Sequence, residues 1–177
     1  MKRFNFGAML ALAAITCFLI PTIASAEPFV ARLNGGEEVP AVSTPATGQF
    51  FFNFQTLTPA GTQNAYTLSY TGLVGNVTQA HIHIGQPGAA GGISIWLCQT
   101  AAAPAPAAVA AVTPTCAGTT AGSVSSEITP VKVRGPVAQL VGVGEFGEAI
   151  RAIRLGLAYV NVHTSAVPGG EIRGVIR

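Results

Sequence analysis

The chain contains three histidines, and their spacing gathers them. His81 and His83 flank one residue in Ala80-His81-Ile82-His83-Ile84. Side chains at i and i+2 of a strand leave the same face. Both imidazoles therefore point one way, while Ile82 and Ile84 point into the core. His163 closes the run Tyr159-Val160-Asn161-Val162-His163, in which Val160 and Val162 share one face and Asn161 and His163 the other. If the two strands are neighbours, three imidazoles converge. Neutral imidazole is the commonest metal ligand, and a strand-borne His-x-His with a third histidine from another strand suits copper or zinc. The fourth position stays open between water, Glu171 and the Glu37-Glu38 turn. Tyr159 and Asn161 are candidates to support the ligands from behind. The competing reading makes the histidines polar residues of a half-exposed strand.

Little else in the chain offers chemistry. Every acidic residue is glutamate; with no aspartate, calcium loops and triads that need one are excluded. No nucleophile–base pair, paired carboxylates or cofactor loop stands out, so an enzyme is not the expected reading. Glu171 and Arg173, at i and i+2, are expected on one face. They form either a surface ion pair or an arrangement in which Arg173 orients Glu171 or an anionic ligand near the histidines. Asn76-Val77-Thr78 fits a glycosylation sequon and fits a turn equally well.

The elements that must position these residues are mostly strands. Gly and Pro punctuate short β-branched and aromatic runs, the pattern of an all-β domain. Expected strands are 29–33, 48–55, 65–71, 80–84, 93–97, a weak one within 119–128, 157–163 and 171–176. A turn is expected at Thr58-Pro59-Ala60-Gly61. Tyr66, Leu68 and Tyr70 alternate with polar neighbours, whereas Phe50-Phe51-Phe52 reads as buried on both faces or partly covered. From Glu145 to Leu155 the period changes. Phe146, Ala149, Ile150 and Ile153 fall at helical spacing, with Gly156 as a C-cap, so one short amphipathic helix is expected.

The N-terminus reads as a secretory signal peptide over residues 1–26: Lys2 and Arg3, then an apolar stretch from Phe4 to Ile20, then Ala24-Ser25-Ala26 before Glu27. A membrane anchor is the alternative, and the apolar core is shorter than the ~20 residues that a spanning helix needs. Residues 27–177 then form one domain with no further span. Nine basic residues minus Lys2 and Arg3 leave seven, against seven acidic ones, so the domain is near neutral and carries no basic stripe for nucleic acid. In a periplasmic or secreted protein Cys98 and Cys116 read as a disulfide, with two free thiols as the alternative. They bracket an Ala/Pro-rich insertion at 99–119 that resembles a flexible or polyproline-like loop.

Asn34-Gly35-Gly36-Glu37-Glu38-Val39-Pro40, the His-Ile-His strand, Tyr159–Thr164 and Pro168-Gly169-Gly170-Glu171-Ile172-Arg173-Gly174 together resemble the CHRD (chordin) domain family over about residues 29–177. The resemblance implies a β-sandwich of exported bacterial proteins and extracellular chordins, where the domain sits beside binding modules. It carries no established enzymatic activity. The family's strongest motifs are those that contain His81, His83, His163, Glu171 and Arg173. The two histidine strands also look like the copper-ligand strands of copper–zinc superoxide dismutases, but the histidines and aspartate of the zinc half are missing here, so dismutation is not implied. The expectation is a Greek-key antiparallel β-sandwich, immunoglobulin- or superoxide-dismutase-like. Its expected function is non-catalytic binding of copper or zinc through His81, His83 and His163. The rival is an extracellular interaction or cell-surface module without metal, whose partner is another extracellular protein.

Overall fold

The computed structural model describes residues 26–55 and 64–177. The expected signal peptide, up to residue 25, and the Thr58–Gly61 turn lie outside the described residues. Eight strands make one antiparallel sheet: β1 (Ala26–Asn34), β2 (Thr47–Gln55), β3 (Ala65–Thr71), β4 (Val77–Ile84), β5 (Gly92–Cys98), β6 (Gly122–Glu127), β7 (Ala158–Thr164) and β8 (Ile172–Val175). Their order is β5-β4-β7-β8-β1-β2-β3-β6. The connections β3→β4, β5→β6 and β6→β7 each pass from one half of the sheet to the other, in a Greek-key topology. The fold is all-β, as the residue pattern predicts. Its two layers are one nearly closed sheet, because β1 and β8 join at Asn34 and Arg173 and through paired bonds between Val30 and Arg177.

Alternation builds the interior. Phe29, Phe52, Phe50 and Tyr66 pack inside in that order, with successive ring centroids 5.9–6.4 Å apart. Tyr66 reaches across to donate to the Leu97 carbonyl of β5. Phe51 decides between the two expectations for its strand in favour of partial cover: it is 44% exposed, because the outer face of β2 meets solvent and the period of two holds through the three phenylalanines. The amphipathic helix is present as α2 (Phe146–Arg154) and buries Ala149, Ile150, Ala152 and Ile153.

The cysteines are bridged, Cys98 to Cys116. The insertion they bracket is more ordered than its composition suggests. It holds a one-turn helix, α1 (Ala107–Ala110), and it buries Val109. Gln99 organises it, donating to the Ala110 and Thr113 carbonyls and accepting from Ala105 N–H. One amide side chain thereby satisfies two carbonyls and one N–H of the insertion.

Candidate metal centre

The site lies on the outer face of the half-sheet β5-β4-β7-β8. Register places it there: β4 pairs with β7 so that Gln79 faces His163, His81 faces Asn161 and His83 faces Tyr159. On the other side β7 pairs Asn161 with Arg173 of β8. Ala80, Ile82, Val160 and Val162 take the opposite face and are fully buried in the core. The outer face is buried too, with His81 fully covered and His83 and His163 only 8% and 7% exposed. These strands are therefore not half-exposed, and the polar residues are enclosed by connecting segments.

The segment between β4 and β5 covers one side. Arg173 donates to the Ala89 carbonyl at 2.9 Å, and Gly91 N–H donates to the Tyr159 hydroxyl at 3.0 Å. Tyr159, on the central strand, has His83 stacked on it at 4.9 Å between centroids and the Arg173 guanidinium 3.4 Å from its ring centre. Trp96 closes the β5 side, its ring 5.2 Å from that of His81.

The imidazoles converge. One ring nitrogen from each of His81, His83 and His163 lies within 4.8 Å of the others. What each ring does with its other nitrogen fixes its protonation. His83 Nδ1 sits 3.0 Å from the Gly91 carbonyl, and His163 Nδ1 sits 2.9 Å from the Pro168 carbonyl. A carbonyl only accepts, so both Nδ1 atoms carry the proton and both Nε2 atoms are bare lone pairs. His81 Nε2 donates to Gln79 Oε1 at 3.1 Å, which leaves His81 Nδ1 bare. With that tautomer the bare nitrogen lies 3.1 Å from His163 Nε2, and two lone pairs face each other. His83 Nε2 has no hydrogen-bond partner. Two nitrogens bound to one tetrahedral zinc, each at ~2.0–2.1 Å, stand about 3.3 Å apart, close to the spacing of this pair.

Protons do not easily fill the gap. Burial, then the repulsion of His163 and His83, pushes His81 down to about 2. Burial likewise takes His83 down to about 4 and lowers His163. At neutral pH the cluster is three neutral bases that share one small space.

The other residues singled out by the sequence divide. Asn161, Tyr159 and Arg173 lie beside the histidines. Glu171 does not. Its carboxylate is fully buried and accepts from Thr44 Oγ1 at 2.8 Å, Val74 N–H at 2.7 Å, Thr164 Oγ1 at 2.7 Å and Gly75 N–H at 3.5 Å. The expected shared face and ion pair of Glu171 and Arg173 are corrected here. Among the described residues the only ion pairs are Arg151–Glu148 and Arg154–Glu27. The reason is that β8 begins at Ile172, so strand alternation does not extend back to residue 171. Glu38, by contrast, is buried next to Asn161, and the pattern had pointed only to its turn. Gln79 was missed altogether, although its i−2 spacing from His81 on the same strand carried the signal.

The CHRD domain family matches residues 29–176. The chain belongs to the CHRD domain family. The CHRD domain is an extracellular-type module, and the Cys98–Cys116 bridge is compatible with an oxidising compartment. No curated protein and no solved structure gives a match.

Proposed function

We propose that this CHRD domain is exported, to the periplasm or beyond, and binds one copper or zinc ion through His81 Nδ1, His83 Nε2 and His163 Nε2, without catalysing a reaction. One observation carries the reading. Each histidine spends its single proton on an oxygen, and three bare nitrogens are left turned toward one another. Metal-bound histidines characteristically donate their second nitrogen to such an oxygen, which fixes the tautomer and orients the ring. A cation replaces the lone-pair contact between His81 and His163 with two bonds. Imidazole donors suit both copper and zinc.

The test is titration of the purified domain with Cu(II), Cu(I) and Zn(II), by calorimetry and elemental analysis, beside a His81→Ala/His83→Ala variant. Trp96 is the only tryptophan, and its position against His81 makes its fluorescence a second reporter. One tight equivalent, lost in the variant, supports the reading. No binding above background rejects it.

A second reading has its own observation. Val137, Leu140 and Val143 are 66%, 83% and 56% exposed on the segment between β6 and α2, and Leu140 is the one non-glycine residue at positive φ among those described. Exposed apolar side chains on one loop fit a docking surface. Sedimentation of the domain beside Leu140→Asp tests self-docking. Association lost in the variant favours it, and a monomer at all concentrations removes it.

A further inference from the structure

Beside the histidines stand two more atoms that the fold leaves incomplete. Four buried side-chain polar atoms lack a partner among the described residues: His83 Nε2, Asn161 Oδ1, Glu38 Oε1 and, on β5, Ser94 Oγ. The first three are neighbours. Asn161 faces His81 across the β4–β7 ladder and precedes His163 by two residues on its own strand, so it lies amid the three imidazoles. Glu38 approaches it from the connection between β1 and β2. The two side chains meet over Gly170, where an added Cβ would come within 2.6 Å of both Asn161 Nδ2 and Glu38 Oε1. Gly170 also holds φ at +125°, so glycine is required there twice over.

With Glu38 ionised, these three orphans have one chemistry in common: all are acceptors. A buried acceptor left without a donor destabilises the fold. A metal ion on the three imidazoles satisfies the nitrogen, and Glu38 lies outside that ligand group. A metal-bound water satisfies all three, because its oxygen completes the ion's coordination and it has two protons for two oxygens. No fourth His, Cys, Asp or Glu among the described residues joins the histidine cluster. Three protein ligands plus solvent is the pattern of an open site, whereas closed structural zinc sites use four.

We propose that the ion's remaining position holds a water molecule that donates to Asn161 Oδ1 and Glu38 Oε1, and that this water exchanges for small monodentate anions. The inference rests on the metal-binding reading. It makes Asn161 and Glu38 positioning residues that set what the ion can bind, and it makes the centre a place where a small anion is captured. The Arg173 guanidinium acts electrostatically on both Glu38 and His83, and it offsets the negative charge that such an anion brings.

Azide titrated into the Cu(II)-loaded domain tests this, read by the charge-transfer absorption of copper-bound azide and by electron paramagnetic resonance. Wild type should saturate with one azide per copper. Asn161→Leu removes an acceptor that anchors the water, and Glu38→Gln removes the negative charge that strengthens the other anchor and repels an anion. Each should tighten azide binding by about tenfold, the worth of one hydrogen bond, with copper stoichiometry unchanged. Glu38→Gln is nearly isosteric and keeps the test valid if Asn161→Leu fails to fold. One copper bound with no azide response would overturn the open position and leave the metal reading standing. Loss of copper itself in Asn161→Leu, with the fold intact, would make Asn161 the fourth ligand and overturn the proposal. A wild type that takes up no copper would overturn both readings together.

Discussion

Glu171 and Glu38 are both buried carboxylates on segments that flank the β8–β1 seam, and the fold treats them in opposite ways. Glu171 is surrounded by two hydroxyls and two backbone N–H groups. Burial alone would push it up, but the bonds from Val74, Thr164, Thr44 and Gly75 outweigh that and hold it below its ordinary value. Glu38 keeps one oxygen bare, and burial pushes it up to about 7 against the pull of Arg173. The first carboxylate is complete within the protein and ties the β7–β8 turn to the segment before β4. The second, with Asn161 and the histidines, is complete only with something added. Burial of a polar group therefore does not by itself mark function here. What separates the two regions is whether the chain supplies the partners.

The largest expected effect comes from breaking the complete region. Glu171→Ala strands two N–H groups and two hydroxyls, and it should cost ~4 kcal/mol in chemical denaturation, since unpaired buried polar groups cost ~1–3 kcal/mol each and some regain water. Copper or zinc uptake by the fraction still folded should be unchanged. If uptake disappears as well, the two regions are not separate. Replacing Cys98 and Cys116 with serine opens a loop with an 18-residue separation and should cost ~3 kcal/mol by the same assay, again without loss of metal.

Acid should act on the incomplete region. The histidines have folded-state values below 6.5, so below that pH the unfolded chain binds protons that the folded one does not. Stability of the metal-free domain is then full above 6.5 and falls as pH drops toward 4, where His83 protonates in place. Glu38 has the reverse sign. Its raised value adds stability below about 4.5 that is lost as pH rises through about 7. Each group is worth at most ~1.4 kcal/mol per pH unit. His81 and His83 against one glutamate give a net loss of ~1 kcal/mol for the first full unit below pH 6, to which His163 adds in the same direction, measurable by urea titration across pH. A flat profile would mean that the imidazoles are not buried bases. The smallest effect is that of Glu38→Gln, which should stabilise the metal-free domain by ~1 kcal/mol at pH 8 by removing a charge kept out of water, and do nothing at pH 4.

Much of the site was legible in local spacing, because period-two alternation sends His81 and His83 to one face of their strand, and Asn161 and His163 to one face of theirs, regardless of context. The helix at Phe146–Arg154 and the cysteine pair were legible for similar reasons, one a local periodicity and the other a compartment argument. What escaped depends on long-range closure. Nothing local states that Asn34 will pair with Arg173, and that pairing brings the Glu38 turn to Asn161. The role of Glu171 escaped because its partners, Thr44 and the Val74-Gly75 amides, are distant in sequence and two of them are backbone. The acceptors for His83 and His163 are carbonyls of Gly91 and Pro168, which no side-chain pattern announces.

The most direct measurement is anomalous X-ray diffraction from crystals of the domain grown with zinc or copper, collected on both sides of the metal's absorption edge. The account predicts one strong peak ~2.0–2.1 Å from His81 Nδ1, His83 Nε2 and His163 Nε2, with Gln79, Gly91 and Pro168 still accepting from the opposite nitrogens. A featureless map at the cluster, or a peak reached through the other ring nitrogens, would contradict it.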